Sequence, residues 1–390
     1  MKITNLNVTG FRSLKSIYWR PGDLNIVIGP NASGKSNLLE LLEMLSSLPK
    51  GGLAKYVQSR GGINSLLWDG QAEGVDIELC FTPPENTPEM RDLIYSLKLE
   101  AVGGLVAYEV ASEELDSGDD TIPPLFDRNM ERIEGEEVPD EGKQLPALPS
   151  RAESLLSVFH GRRAPDSLRS ALLANGMADW TVYQHLDTSP KAPVRIAPVA
   201  RYETQIEGDG SNLISVLHTL YTEDRAFAER INAAMGAAFG HFETLVFPPS
   251  PAADQRVQMK VRWKNLKRDC PLSDLSDGTL RFLYLISILA NPNLPSLVAI
   301  DEPETGLHPR MMGIVAECAM DAATRTQLIL TTHSPEFLDA FRDTQPTVTV
   351  TELVDGATQL RTLSGEDLAY WLKEYTLGDI YRTGQLESME

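Results

Sequence analysis

The chain has 390 residues, of which 42% are hydrophobic and 23% charged, and its formal net charge is −20. That length permits a large core and more than one subdomain, and the composition is ordinary for soluble globular proteins. The charge opposes nonspecific binding to nucleic acid over the whole surface, and no apolar run is long enough to span a bilayer, so no membrane role is expected.

Residues Ile3 to Val8 have the pattern of a strand, and a second short strand is expected from Ser16 to Trp19, ahead of Pro21-Gly22. The apolar run Leu24-Asn25-Ile26-Val27-Ile28 suits a buried strand. It leads into Gly29-Pro30-Asn31-Ala32-Ser33-Gly34-Lys35-Ser36, which reads GxxxxGKS, and Asn37 to Leu45 then suits a helix. Strand, loop and helix together make this a phosphate-binding site rather than a Gly-rich turn. Gly29 and Gly34 let the backbone bend tightly and turn its N–H groups onto phosphate oxygens, and the helix N-terminus adds partial positive charge. Lys35 can reach the β- and γ-phosphates, and the Ser36 hydroxyl can ligate Mg2+. The hairpin before this loop makes Arg12 a candidate second phosphate contact, with a solvated hairpin arginine as the alternative.

Pro49-Lys50-Gly51-Gly52 and Arg60-Gly61-Gly62 are breaks. Val75, Ile77, Leu79 and Phe81 alternate with Asp76, Glu78 and Cys80 as a half-buried strand requires, and Leu105 to Val110 is the next expected strand. From Glu113 to about residue 150 the chain is acidic and proline-broken, which predicts a surface excursion: a solvated loop or a docking segment. Short helices are expected at Arg151 to Phe159 and Pro165 to Ala174, and a strand at Trp180 to Leu186. Asp209-Gly210-Ser211-Asn212 is expected to cap a helix from Leu213 to Tyr221, with another helix from Asp224 to Ala238. Val257 to Lys264 alternates strictly. Its polar face carries Lys260, Arg262 and Lys264, with Lys267 and Arg268 behind, and is either a plain outward face or a nucleic-acid contact.

Leu275-Ser276-Asp277-Gly278-Thr279 opens the apolar helix Leu280 to Leu289, another helix start suited to anions. Leu297-Val298-Ala299-Ile300 is an apolar strand ending in Asp301 and Glu302. Asp301 suits a magnesium contact through water, and Glu302 is placed to orient and deprotonate an attacking water. Pro303-Glu304-Thr305-Gly306-Leu307-His308-Pro309 turns into the next helix. The strand Gln327 to Thr332 ends in His333, a candidate contact to the γ-phosphate and the water. Strands Val348 to Val354 and Gln359 to Leu363 close the chain, followed by a helix Glu366 to Lys373 capped by Ser364 and a last segment Tyr375 to Gly384; no chemistry is evident there.

With these motifs in this order, the chain resembles the ABC-type ATPase heads of the RecF, SMC and OLD group, in particular stand-alone bacterial ATPases without a long arm. The Walker A loop matches Gly29 to Ser36, with Asn37 following, and the signature matches Leu275 to Thr279. Walker B matches Leu297 to Glu302, the D-loop Glu304 to His308, the H-loop histidine His333, and the N-terminal phosphate-contacting arginine Arg12. The resemblance implies an α/β fold, a P-loop NTPase head with a mixed sheet core and an antiparallel β subdomain, interrupted by a helical and irregular insertion. The head would occupy residues 1–82 and 256–390, with the insertion at 83–255. It implies ATP and Mg2+ as cofactors, held by Gly29 to Asn37, Arg12 and Asp301. Ser276 and Gly278 would face the nucleotide of a second copy in an ATP-dependent homodimer. Glu302, His333 and Lys35 would be catalytic.

Two features depart from the pattern. Asp277 stands where transporters have glycine, and neither Gln58 nor Gln71 is clearly a Q-loop residue. The absence of heptads excludes a long coiled-coil arm. A transporter ATPase subunit and a non-hydrolysing scaffold are the alternatives; the first is disfavoured by the D-loop and the missing Q-loop, the second by intact Asp301, Glu302 and His333. With no spaced acidic cluster and only Phe341 to Glu390 beyond the His333 strand, the chain is expected to regulate a separate effector, such as a nuclease, in phage defence or DNA repair. The three cysteines fit a reducing cytoplasm, and Met1 to Leu6 lacks the apolar core of a signal peptide.

Overall fold

The computed structural model describes residues 1–70, 72–83, 92–103, 107–118, 124–129, 132–133, 149–161, 169–184, 186–249, 255–341, 344, 346–363 and 377–382. Two compact units divide the chain: Met1–Trp180 with Thr347–Ser364, and Thr181–Pro346 with Gly365–Glu390. Elements are numbered in chain order.

The first unit holds an antiparallel sheet in the order β2-β1-β4-β5-β6-β7-β8. Its strands are β1 (Lys2–Phe11), β2 (Leu14–Trp19), β4 (Gly74–Thr82), β5 (Leu93–Val102), β6 (Ala107–Asp116), β7 (Phe126–Asp127) and β8 (Arg132–Ile133). Alternation decides the face: Val75, Ile77, Leu79 and Phe81 of β4 and Leu93, Tyr95, Leu97 and Leu99 of β5 are all buried. The β1–β2 turn is Arg12-Ser13, with Arg12 at φ 46, the left-handed conformation that two-residue hairpins use. A second set of strands carries the phosphate loop. β3 (Leu24–Ile28) is buried throughout and pairs in parallel with β15 (Thr347–Val354), which pairs antiparallel with β16 (Ala357–Leu363). Helices α1 (Lys35–Ser47), α2 (Leu53–Ser59), α3 (Leu156–Phe159) and α4 (Arg169–Ala178) complete this unit.

In the second unit β13 (Leu297–Ile300) pairs in parallel with β14 (Gln327–Thr332) on one side and β9 (Thr181–Tyr183) on the other. All ten residues of β13 and β14 are buried, as a parallel sheet covered on both faces requires. β10 (Phe242–Val246), β11 (Lys260–Trp263) and β12 (Cys270–Pro271) form a small antiparallel sheet. The helices are α5 (Leu213–Glu223), α6 (Arg225–Ala238), α7 (Asp277–Leu289), α8 (Pro309–Ala323), α9 (Pro335–Asp339) and α10 (Leu377–Arg382). Apart from Asp277, Gly278 and Arg281, every residue of α7 is buried, because it is apolar almost all round.

Several sequence expectations are corrected. Of the strand placed at Leu105 to Val110, residues 105 and 106 lie outside the described residues and the rest is in β6, which runs on through Glu113 and Glu114; β5 is not among the expected strands. The acidic stretch therefore begins inside a strand. Glu113 is 1% exposed and accepts from Tyr95 Oη (2.9 Å), Ser154 Oγ (2.5 Å) and the Leu155 amide (2.7 Å), with Arg128 at 3.4 Å. Burial, and then the Glu113 charge, push the Tyr95 phenol well above its usual range, so it stays a donor. Most of the remaining acidic stretch lies outside the described residues, as do Gln71, residues 165–168 of the helix expected at Pro165 to Ala174, Ser364, and the helix placed at Glu366 to Lys373. The strand expected from Trp180 to Leu186 is only Thr181–Tyr183. That expected from Val257 to Lys264 is only Lys260–Trp263, because Val257 instead donates its amide to the Pro198 carbonyl. Asn212 precedes α5 without a side-chain cap bond; its Oδ1 accepts from the Glu207 amide, and its Nδ2 donates to the Gln205 carbonyl. Asp224 does cap α6, accepting from the Phe227 amide at 2.9 Å. Among the described residues no helix is long and apolar enough to cross a membrane.

Candidate functional site

In the first unit, the loop Gly29 to Gly34 joins β3 to α1. Gly34 sits at φ 105 directly before the helix, and a Cβ there would lie 2.0 Å from Thr358 Oγ1, so both conformation and space require glycine. Pro30, Asn31 and Ala32 are exposed on the loop, while Gly29 and Ser33 are buried beneath them. Ala32 adopts φ 65. Lys35 lies at the first position of α1, with its ammonium donating to the Gly29 carbonyl at 2.7 Å and the Pro30 carbonyl at 3.0 Å. Its charge is thus held across the loop. Ser36 is exposed at the helix start, where its hydroxyl is open to a metal or phosphate oxygen. Asn37 Nδ2 donates to Ser13 Oγ at 2.6 Å, which fixes the β1–β2 turn against the helix start. Arg12, in that turn, is not turned to solvent: its guanidinium meets Glu40 of α1 at 2.8 Å. Gln58 is exposed on α2.

In the second unit, the residues after β13 and β14 converge. Thr331 Oγ1 donates to Asp301 Oδ1 at 2.5 Å and accepts from the Glu302 amide at 3.0 Å. Glu302 has φ 44, a strained backbone for a glutamate, and such strain persists only where surrounding contacts over-determine it. Those contacts are present. Its Oε1 lies 3.1 Å from His333 Nδ1, and its Oε2 accepts from Thr305 Oγ1 at 3.3 Å. The Glu302 carboxylate and the His333 ring stay partly open, at 32% and 46% exposure, so water can reach both. Glu304 is 5% exposed, and its Oε1 accepts from Thr332 Oγ1 and the His333 amide. Burial outweighs these bonds and raises its carboxyl above the usual range.

The signature segment lies in the same unit. Ser276 caps α7, accepting from the Thr279 amide at 3.2 Å. A Cβ on Gly278 would come 3.0 Å from the Gly306 carbonyl, and Arg281 donates to the Thr305 carbonyl at 3.3 Å; together these pack α7 on the turn after Glu302. Asp277, which departs from the transporter pattern, has a partner here: Arg195 Nη2 at 2.7 Å. The same guanidinium donates to the carbonyls of Leu272, Leu275 and Thr188, each within 3.0 Å. Arg195, Thr331 and Ser13 were missed in the sequence, since a single arginine, threonine or serine carries no local signal of the backbone that it will bind.

The basic face of β11 is partly neutralised by its neighbours. Arg262 makes a two-pronged pair with Asp269 (2.8 and 3.1 Å), and Arg268 lies 3.6 Å from Asp274.

Comparison with known proteins places the family and the fold. Residues 139–339, just over half the chain, match the family described as "AAA domain, putative AbiEii toxin, Type IV TA system", and residues 1–90 match an "AAA ATPase domain" family. An "ATP/GTP phosphatase" of Helicobacter pylori is 32% identical over 87 residues, or 21% of this chain and 23% of that protein. The "DNA replication and repair protein RecF" of Moorella thermoacetica is 48% identical over 48 residues, or 12% of this chain and 13% of that protein. The chain therefore spans less than a quarter of either curated relative. Among solved structures, an SMC head bound to the C-terminal winged-helix domain of ScpA aligns with a TM-score of 0.61 at 14% identity, covering 94% of this chain and all of that one. At 14% identity that likeness concerns the fold alone, that of an SMC head domain.

Proposed function

The chain belongs to the AAA-domain family matched over residues 139–339, and from that premise we propose that it is a magnesium-dependent ATP hydrolase that works as a dimerising switch. The observation that carries this reading is Glu302, held in a strained conformation by Thr331, Thr305 and His333 with its carboxylate still open to water. A buried structural acid would need neither the strain nor the opening. In this reading the loop Gly29 to Ser36 binds the phosphates through its amides, and Lys35 gives up its loop carbonyls to pair with phosphate oxygens. Glu302 takes a proton from the attacking water, and His333 orients that carboxylate.

Among the described residues no cluster of three or more His, Cys, Asp or Glu could hold a metal ion unaided. Ser36 in the first unit and Asp301 in the second are each of the oxygen-donor type that Mg2+ would accept beside substrate phosphates and water. When bound, it would neutralise charge on the phosphates. Phosphate release measured with and without Mg2+ tests the reading. Wild type should turn over ATP only with Mg2+, and Lys35→Ala should release no phosphate above background. Equal release by Lys35→Ala would refute it.

Ser276 and Gly278 are proposed to complete the site of a second copy, giving two identical composite sites by two-fold symmetry. Ser276 is exposed; besides capping the Thr279 amide, its hydroxyl shares a hydrogen bond with Thr279 Oγ1 at 2.8 Å, in which Thr279 would be the donor when Ser276 turns its proton to the second copy. ATP-loaded Glu302→Gln protein should therefore scatter light as a dimer, and Ser276→Arg added to it should remain monomeric. A monomeric Glu302→Gln protein under saturating ATP would exclude the switch.

The setting we infer is phage defence or DNA repair, with a separate effector such as a nuclease that takes its signal from the dimer. The supports are the short similarity to RecF and the family's description as a putative toxin of a type IV system. Direct nucleic-acid binding would fall on Lys260, Lys264 and Lys267, the β11-side lysines.

A further inference from the structure

The C-terminal hairpin β15–β16 touches the phosphate loop from behind, through two fully buried threonines. Thr351 and Thr358 are 0% and 1% exposed, and Ser33 between them is 1% exposed. Thr358 Oγ1 donates to the Ser33 carbonyl at 3.0 Å, and Thr351 Oγ1 donates to the Ile28 carbonyl at 3.1 Å. Each hydroxyl has one proton, so these two bonds set the direction of every other bond in the cluster. Ser33 Oγ then donates to Thr351 Oγ1, and Ser13 Oγ to Thr358 Oγ1, while Asn37 Nδ2 supplies Ser13. Two chains result, Asn37 to Ser13 to Thr358 to the Ser33 carbonyl, and Ser33 to Thr351 to the Ile28 carbonyl. Each of the four hydroxyl protons is thereby used, in one consistent sense.

The two carbonyls at the ends of these chains are significant. Ser33 C=O shares its peptide unit with the Gly34 N–H, and Ile28 C=O shares its unit with the Gly29 N–H. In a trans peptide the C=O and N–H point in opposite directions, and no peptide bond here is cis. A threonine that holds the carbonyl from behind therefore turns the amide of the next residue to the opposite side. Both amides belong to the glycines that bound the loop.

We propose that Thr351 and Thr358 are positioning residues for nucleotide binding: they set the Gly29 and Gly34 amides in the orientation that receives phosphate. This deepens the ATPase reading above and rests on it. Neither threonine touches the reacting atoms, so their loss weakens binding and leaves the chemistry in place.

The test compares wild type, Thr351→Val, Thr358→Val and the hydroxyl-keeping Thr351→Ser and Thr358→Ser. Titration calorimetry with ATP should show about tenfold weaker binding for each valine variant, as expected for one buried hydrogen bond with its acceptor left unpaired. The serine variants should bind within about twofold of wild type on the same grounds. The KM for ATP should rise with the dissociation constant, while kcat at saturating ATP stays near wild type. Amide hydrogen exchange of the peptide covering residues 29–36, without nucleotide, should quicken in the valine variants and return in the serine variants. Should Thr358→Val fail to fold, Thr351→Val carries the same comparison. Valine variants with wild-type affinity and exchange would overturn the proposal, as would serine variants that recover neither. If wild type binds no ATP, the ATPase reading fails by itself; the exchange data still decide the hairpin's role, and unchanged exchange overturns it.

Discussion

Glu302→Gln is expected to slow ATP turnover by about 10²-fold or more while ATP binding stays intact, the loss expected when a general base is removed. The substitution suits the geometry. Glutamine keeps the length of the side chain, so Thr305 can still donate to its oxygen and the backbone at φ 44 is still held by Thr331. What disappears is the negative charge that accepts the proton of water and pairs with the His333 ring 3.1 Å away. Phosphate release under saturating ATP, alongside titration of ATP binding, separates the two effects. Turnover equal to wild type would remove Glu302 from the role of base. A parallel loss of binding would make it a structural residue instead.

Arg128→Met is expected to destabilise the first unit by about 3 kcal/mol or more, the range found when one partner of a buried ion pair is removed. The Glu113 side chain is fully buried and Arg128 is 6% exposed. With the guanidinium gone, Glu113 retains three neutral donors but no counter-charge. Arg128 also donates to the Glu153 carbonyl at 2.6 Å, so the loss reaches the segment before α3. Adding Glu113→Gln to Arg128→Met removes the stranded charge and should recover much of the loss. Urea unfolding followed by tryptophan fluorescence reads both proteins. A shift below about 1 kcal/mol for Arg128→Met, the value of an exposed pair, would show that the pair is effectively solvated.

Motifs whose chemistry sits in consecutive residues were legible in the sequence. Gly29 to Ser36 after a buried strand, and Asp301-Glu302 at the end of another, bring their own local geometry, because a tight turn, a helix start and a strand end are set by neighbours a few positions away. The strands β3, β13 and β14 were recognisable for the same reason, since burial on both faces demands unbroken apolar runs. Residues whose role depends on distant partners were not. Glu113 looked like the start of a solvated acidic stretch; β6 carries it into the core, beside donors brought by Tyr95 and Ser154. The strands β15 and β16 are legible in the sequence, but no local pattern in it marks the chemistry they support. Thr351 meets Ser33 across 318 positions of chain, and Thr358 meets Ser13 across 345. Periodicity assigns a side chain to a face, but it does not say which backbone carbonyl lies beneath that face. Only the parallel pairing of β15 with β3 brings the threonines under the loop, and only the burial of Arg195 gathers the carbonyls around the start of α7. The sequence by itself determined where phosphate chemistry could occur, and tertiary packing decided which buried hydroxyls and charges hold that chemistry in shape, because an unpaired polar group costs too much in the core to be left unmatched.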